Sequence, residues 1–173
     1  MTKAIQILSK NLTGKENILK KETKSQAIKI LDSYLFSENI KIANFNKISS
    51  ILTNRVSQIV LNNNNYEKIL SNYGNFNWVI EIKFLPGVTD NIANTAKEMI
   101  SDNIINYKKN LKVGSSNIYL IRGTKDIAEK IAKKESNPLI HSVRIITYKR
   151  YLSDFKNNKF LFQDVNLPNK KYL

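Results

Sequence analysis

Hydrophobic positions alternate with polar ones in WVIEIKFL, residues 78–85, and then recur every three or four residues in NIANTAKEMI, residues 91–100. Alternation places side chains on the two faces of a strand, whereas the longer spacing places them along one side of a helix. Pro86 and Gly87 lie between the two patterns, where proline cannot continue a central strand and glycine permits a tight turn. Asp90 stands directly before the helix, in the position of an N-terminal cap. The stretch therefore predicts a strand, a corner and a capped helix.

The rest of this half continues as strand, strand, helix and strand. The helix is expected to end before Pro138, because the residue that precedes a proline avoids the helical conformation. The complete order, β-α-β-β-α-β, is the split βαβ or ferredoxin-like arrangement, which places both helices on one face of the sheet. The predicted elements are strand 105–113, a turn at Gly114-Ser115, strand 116–123, a helix capped by Thr124, a break at Asn137-Pro138 and strand 139–147.

The first sixty residues have the pattern of a shortened copy. They predict a strand at 4–8, a helix at 25–36, a strand at 39–45 and, within 48–62, a helix end and a strand. Asn54-Arg55-Val56 aligns there with Asn137-Pro138-Leu139. Two such halves could lay the bare faces of their sheets against each other, as a fused dimer would. The resulting division is a degenerate half at 1–62, a polar linker at 63–77, a second half at 78–148 and, at 149–173, a tail or the start of a linker to further domains.

Composition excludes several classes of protein. The 173 residues include no cysteine, so that disulfides and thiolate metal sites are ruled out. The sequence lacks a run of the ~20 apolar residues that a membrane helix needs, and MTKAIQILSKN lacks the apolar core of a signal peptide. A cytoplasmic location is the simplest expectation.

The formal net charge of +14 favours a polyanionic partner, since neutralised phosphates release counterions. However, the lysines are scattered, and the chain is rich in Lys, Asn and Ile, as AT-rich genomes tend to encode. A solvated surface is therefore the preferred explanation, although part of it could face an acidic partner or a phosphorylated ligand.

Residues that carry catalysis are scarce. His141 is the single histidine and has no identifiable carboxylate partner, so we expect it at a surface or interface. The amides that begin the helix after 85–90 could bind an anion, but Asp90 would itself occupy them, which favours a structural corner. We therefore predict no catalytic, cofactor-binding or metal-binding residue. The carboxylates expected at helix starts or on exposed faces are Glu81, Asp90, Asp126, Glu129 and Glu135.

The stretch IEIKFLPGVTDNIANTAKEMI, residues 80–100, resembles the opening strand, turn and helix of the PurS family. The likeness continues in GSSNIYLIRG, residues 114–123, and in SNPLIHSVRI, residues 136–145. It covers residues 78–147, whereas 4–62 match only as a degraded first copy, with Arg55 in place of an expected proline. The Pro-Gly-Val-x-Asp turn is the most specific piece. We expect Gly87, Asp90, Asn137 and Pro138 to define the fold.

The resemblance implies an α+β chain of two ferredoxin-like, PurS-like halves packed as a pseudo-dimer, with the first half shortened. PurS subunits form dimers, and the N-terminal domain of the large phosphoribosylformylglycinamidine (FGAM) synthase carries two such halves in one chain. The family makes FGAM in de novo purine biosynthesis, with ATP, Mg²⁺ and ammonia drawn from glutamine. By this resemblance the chain would be a noncatalytic scaffold that bridges the synthetase and glutaminase partners, which hold the ATP site and the cysteine nucleophile.

Two other functions stay open at this stage. One is a basic ferredoxin-like module that binds nucleic acid, for which Phe84 and Tyr119 would be the stacking aromatics on the central strands. The chain lacks the Lys/Arg-Gly-Phe run typical of RRM domains. The other, ranked last because no ligand loop is recognisable, is a small-molecule regulatory domain.

The tail from 149 to 173 is expected to dock through Phe160, Leu161, Phe162 and Val165.

Overall fold

The structure is a computed structural model that describes residues 2–104 and 111–160. Strands and helices alternate along the described chain, and the order β-α-β-α-β-α occurs twice. The first set is β1 (Thr2–Ser9), α1 (Gly14–Thr23), β2 (Ala27–Ile40), α2 (Ile42–Leu52), β3 (Gln58–Leu61) and α3 (Tyr66–Ser71). The second set is β4 (Trp78–Phe84), α4 (Asn91–Asn103), β5 (Val113–Arg122), α5 (Lys125–Glu135), β6 (His141–Thr147) and α6 (Tyr148–Lys156).

The six strands form one antiparallel sheet in the order β3-β1-β2-β5-β4-β6. From either outer edge inwards, the sheet contains the third, the first and then the second strand of one set of elements. The two second strands, β2 and β5, pair at its centre. Their ladder joins Ala27–Phe36 to Val113–Arg122. The expectation that two halves would pack their sheets face to face is therefore wrong, since the sheets join edge to edge.

The predicted helix at 25–36 is wrong, because these residues form most of β2. Their apolar residues recur at helix-like intervals, but Ile28 belongs to the hydrophobic cluster on one face of the sheet and Leu31 to that on the other. A strand that is buried on both faces loses the simple alternation that identifies half-buried strands. The strand predicted at 39–45 is also wrong, because β2 ends at Ile40 and α2 begins at Ile42.

Helix α1 was not predicted, although its sequence carries a recognisable start signal. The Thr13 side chain accepts a hydrogen bond from the Glu16 backbone, and Glu16 accepts one from the Thr13 backbone. This reciprocal pair is a capping box.

Gly114-Ser115 is not a turn, because both residues lie within β5. Residues 105–110 of the strand predicted at 105–113 lie outside the described residues, as do Leu161, Phe162 and Val165 of the tail.

The other predicted elements of the second half are confirmed. Asp90 caps α4 by accepting from the Ala93 backbone amide at 2.9 Å, and Thr124 caps α5 by accepting from Ile127 at 3.3 Å. Helix α5 ends at Glu135, just before Asn137-Pro138. Strands β4, β5 and β6 occupy the expected stretches to within three residues at each end.

The sheet separates two helical layers of unequal size. On one face, α1 and α5 cover Ile80 and Ile121, while α2 and α4 cover Ile7 and Phe36. On the other face, α3 and α6 pack on a separate cluster that includes Leu31, among other buried residues. Burial of apolar side chains on both faces, at roughly 25 cal/mol per Å², holds the layers together. Segment 63–77, interpreted from the sequence as a linker, therefore contributes a helix to the core.

Gly87 is the one position of the Pro-Gly corner that requires glycine. Its φ is +86°, and a Cβ added there would meet no atom within 4 Å, so only the backbone conformation penalises a side chain. We predict that Gly87→Val lowers the free energy of unfolding by about 1–3 kcal/mol. Urea denaturation measures the change.

Gly14→Val is the matched control, because a Cβ at Gly14 also meets no atom within 4 Å and its φ is not left-handed. We expect the control to cost less than about 1 kcal/mol, in line with helix propensities. Equal losses in the two variants would show that positive φ is not what the Gly87 position demands.

Candidate interaction surface

Two turns with the same hydrogen bonds lie at corresponding places in the two sets of elements. The first follows α2 and leads into β3; the second follows α5 and leads into β6. In the first, the Asn54 side-chain oxygen accepts from the Val56 amide at 3.1 Å. In the second, Asn137 accepts from the Leu139 amide at 3.0 Å. Side-chain acceptance two residues on is the Asx turn that asparagine favours.

The likeness extends to the residue four positions after each asparagine. The Asn54 amide donates to Oε1 of Gln58 at 2.8 Å, and the Asn137 amide donates to Nδ1 of His141 at 3.0 Å. The asparagine carbonyls in turn accept from the Gln58 and His141 amides, each at 2.8 Å. Nδ1 of His141 thus closes the second turn by accepting the hydrogen bond from the Asn137 amide. Its ring also contacts Phe84, with centroids 5.0 Å apart.

Each turn presents an apolar side chain to solvent. Val56 is 85% exposed and Leu139 is 82% exposed. Because β3 and β6 are the outer strands, the two side chains lie towards opposite edges of the sheet. At the β6 edge, Ile140 and Val143 are also exposed and, with Leu139, form what we call the edge patch. Exposed apolar groups gathered at an outer strand are typical of a surface that contacts another protein.

The Asp90 carboxylate holds the Pro-Gly corner in place through hydrogen bonds. Besides capping α4, it accepts from the backbone amide of Ser115 at 2.6 Å and from the Ser115 hydroxyl at 2.9 Å. Three donors therefore occupy its two oxygens and tie the loop to β5. This geometry agrees with a structural corner, since the carboxylate already occupies the start of the helix.

An ionic cluster of two buried carboxylates and the partly exposed Arg144 joins α6 to the sheet, and it corrects one expectation. Glu81 was expected at a helix start or on an exposed face, but it is only 6% exposed and lies 3.0 Å from Nε of Arg144. Another guanidinium nitrogen of Arg144 lies 3.2 Å from Asp154 of α6.

Asp126 and Glu129 are exposed as expected, while Glu135 is half-buried and lies 2.6 Å from the Lys15 amine.

Within residues 2–104 and 111–160, no three His, Asp or Glu side chains are grouped so that they could hold a metal ion. None of the helices in this part of the chain has the length and apolar character needed to cross a bilayer.

Comparison of the chain with protein-family models, with curated proteins and with solved structures finds no match. The likeness to the PurS family therefore stays a hypothesis that rests on the residues quoted above.

The matched turns predict how His141 can be replaced. Because Gln58 accepts the same hydrogen bond in the first turn, we expect His141→Gln to change the free energy of unfolding by less than about 0.5 kcal/mol. His141→Leu should cost about 1 kcal/mol, since the Asn137 amide loses its acceptor. Thermal and urea unfolding of the two variants measure the difference. A glutamine variant as unstable as the leucine variant would contradict the equivalence of the turns.

The ionic cluster predicts an unequal effect of two arginines. Arg144→Met leaves Glu81 and Asp154 buried without their shared cation, and we expect a loss of roughly 2–4 kcal/mol. Arg150 also contacts Asp154, at 3.0 Å, but its side chain is 65% exposed. Arg150→Met should therefore cost less than about 1 kcal/mol. Urea unfolding of both variants is the measurement. Similar losses would show that the ion pairs of Arg144 are no better shielded from water than the pair of Arg150 with Asp154.

Proposed function

We propose that this chain is a noncatalytic, PurS-like part of FGAM synthase that holds the synthetase and glutaminase domains together for ammonia transfer. The observation that carries the proposal is the strand order β3-β1-β2-β5-β4-β6. Two copies of a three-stranded α+β unit joined at equivalent edges would give this order. A chain with two halves is also what the resemblance to the N-terminal domain of the large synthase implies.

The paired turns give independent support to the pseudo-dimer. The hydrogen bonds around Asn54 and Gln58 are repeated around Asn137 and His141. The second turn lies within one of the stretches that resemble the PurS family, so the likeness and the internal repeat converge on the same residues.

In this proposal the chain supplies surfaces and no reacting group. ATP and Mg²⁺ belong to the synthetase partner, and the nucleophile belongs to the glutaminase. The edge patch of Leu139, Ile140 and Val143 is the surface we assign to partner contact, because its apolar side chains gain most from being covered. The setting would be cytoplasmic purine biosynthesis, and a homo-oligomer of the chain is an alternative assembly.

Reconstitution tests the proposal. The chain is mixed with the synthetase domains of the same organism, prepared without their N-terminal part, and with the glutaminase. FGAM formation is then measured with glutamine and, separately, with an ammonium salt. We expect glutamine-dependent activity to require the chain. If the chain changes neither assay and forms no complex in analytical ultracentrifugation, the proposal is wrong.

A matched pair of variants locates the contact. Leu139→Asp places a charge in the edge patch and should raise the concentration of chain that gives half-maximal activity by about tenfold or more. Leu12→Asp makes the same change at another exposed leucine, which is 55% exposed and lies outside the patch. We expect Leu12→Asp to behave as the unaltered chain. Equal effects of the two variants would remove the edge patch from the proposed interface.

A basic nucleic-acid-binding module is the second candidate, favoured by the net charge of +14. RRM-type recognition stacks bases on aromatics of an open sheet face. Here Tyr119 is 2% exposed and packs in the cluster covered by α1 and α5, while Phe84 lies against His141. RNA affinity that falls steeply with salt, measured by fluorescence anisotropy, would favour this candidate over the scaffold.

A further inference from the structure

A groove of about 340 Å³ lies between the end of α2 and one side of α4, and we call it the helix groove. Leu52 lines it from α2, Tyr34 from the sheet, and Ile92, Ala96 and Met99 line it from α4. Ile92 is 54% exposed and Met99 is 41% exposed. Two large apolar side chains of α4 therefore face solvent beside an open groove.

The helix groove corresponds to the space between α1 and α5. Each of these helix pairs joins the helix after the first strand of one set to the helix before the third strand of the other. In the sheet below, Tyr34 is paired with Ile5 of β1, and Tyr119 is paired with Ile80 of β4. The two tyrosines therefore occupy equivalent places, one beneath each helix pair.

Charged side chains close the pair of α1 and α5. Lys15, the second residue of α1, lies 2.6 Å from Glu135, the last residue of α5, and donates to the Tyr119 hydroxyl at 3.0 Å. At the helix groove, the second residue of α4 is Ile92 and the last residue of α2 is Leu52. The same two positions thus hold an ion pair in one helix pair and two apolar side chains in the other.

The ninth residues of α1 and α4 show the same difference. In α1 this residue is Glu22, which forms an ion pair with Lys134 of α5, and in α4 it is Met99. Ion pairs at a surface remain solvated, whereas exposed apolar side chains gain free energy when another surface covers them. The helix groove is therefore the helix pair whose surface is suited to being covered.

Charge indicates which molecule covers the helix groove. The charged residues of α2 and α4 are Lys47, Lys97, Glu98 and Asp102, so the two helices have no net charge, although the whole chain carries +14. An acidic partner is attracted to the positive parts of the surface and gains little at this neutral face. Two copies of a strongly positive chain, in contrast, repel each other least where the surface is neutral.

The apolar residues of α4 are also spaced to match a second α4. Ile92 and Met99 are seven residues, hence about 10 Å, apart on one side of the helix. When two α4 helices pack antiparallel about a twofold axis near Thr95, Ile92 of each copy faces Met99 of the other. Such a contact uses one patch twice, as symmetric dimers do.

We propose that the chain forms a homodimer through the helix groove, with the two α4 helices antiparallel across a twofold axis. The two helices of one copy present a face of roughly 20 Å by 20 Å, about half of the ~800 Å² that each partner buries in a stable interface. The dimer is therefore weak and forms in the micromolar range. It uses no residue of the edge patch and does not rest on the scaffold function.

Sedimentation equilibrium of the full chain, from about 10 μM to about 1 mM, measures the dimer. Ile92→Lys places a charge in the helix groove and should raise the dissociation constant by about tenfold or more. Ile18→Lys is the matched control, because Ile18 of α1 is 56% exposed and lies outside the groove. We expect Ile18→Lys to dimerise as the unaltered chain does.

A double variant keeps the test valid if Ile92→Lys does not fold. Ile92→Lys combined with Leu52→Glu places the charges of Lys15 and Glu135 at the corresponding positions of the helix groove. We expect the double variant to keep the circular dichroism spectrum of the unaltered chain and to remain monomeric over the same concentrations.

Several outcomes would overturn the proposal. They are a dimer that persists in the folded double variant, an equal effect of Ile18→Lys and Ile92→Lys, and loss of the dimer in Leu139→Asp, which would move the contact to the edge patch. An unaltered chain that is monomeric at about 1 mM would overturn it as well. In that case, loss of FGAM formation in Ile92→Lys would assign the helix groove to the synthetase or the glutaminase.

Discussion

The ladder between β2 and β5 is the interaction on which the rest of the structure depends. Without it, each set of elements would be a three-stranded sheet with a long unpaired edge, and such edges are prone to pair with other chains. The ladder runs antiparallel from Ala27–Arg122 to Phe36–Val113. Near its middle, the Asn117 amide donates to the Asp32 carboxylate at 3.1 Å, so the two halves are joined there by side chains as well.

Helix packing strengthens the joint between the two halves, because helices of the first half contact helices of the second. Helix α1 contacts α5, and α2 contacts α4, so that each helix pair contains one member from either half. The pair of α1 and α5 is further linked by Lys15 with Glu135 and by Lys134 with Glu22. Helix α6 lies on the opposite face, and its Tyr151 donates to Gln6 of β1. Since contacts of this kind cross the chain midpoint on both faces, we expect the two halves to unfold together.

The two sets of elements differ in the surfaces that they expose. The two turns keep the same hydrogen bonds, yet only the second is followed by several exposed apolar residues, at Ile140 and Val143. The surface proposed for partner contact, the edge patch, therefore lies in the second half.

The sequence by itself determined the elements whose signals are local. The alternation in 78–84, the caps Asp90 and Thr124 and the break at Asn137-Pro138 each act within a few residues, so β4, α4, α5 and β6 were predictable. Only the tertiary structure decided that 27–40 is a strand, because burial on both faces removes its alternation. The contacts of Arg144 with Glu81 and Asp154 were equally hidden, because these residues meet only through sheet register and helix packing. Sequence spacing records neither of these long-range contacts.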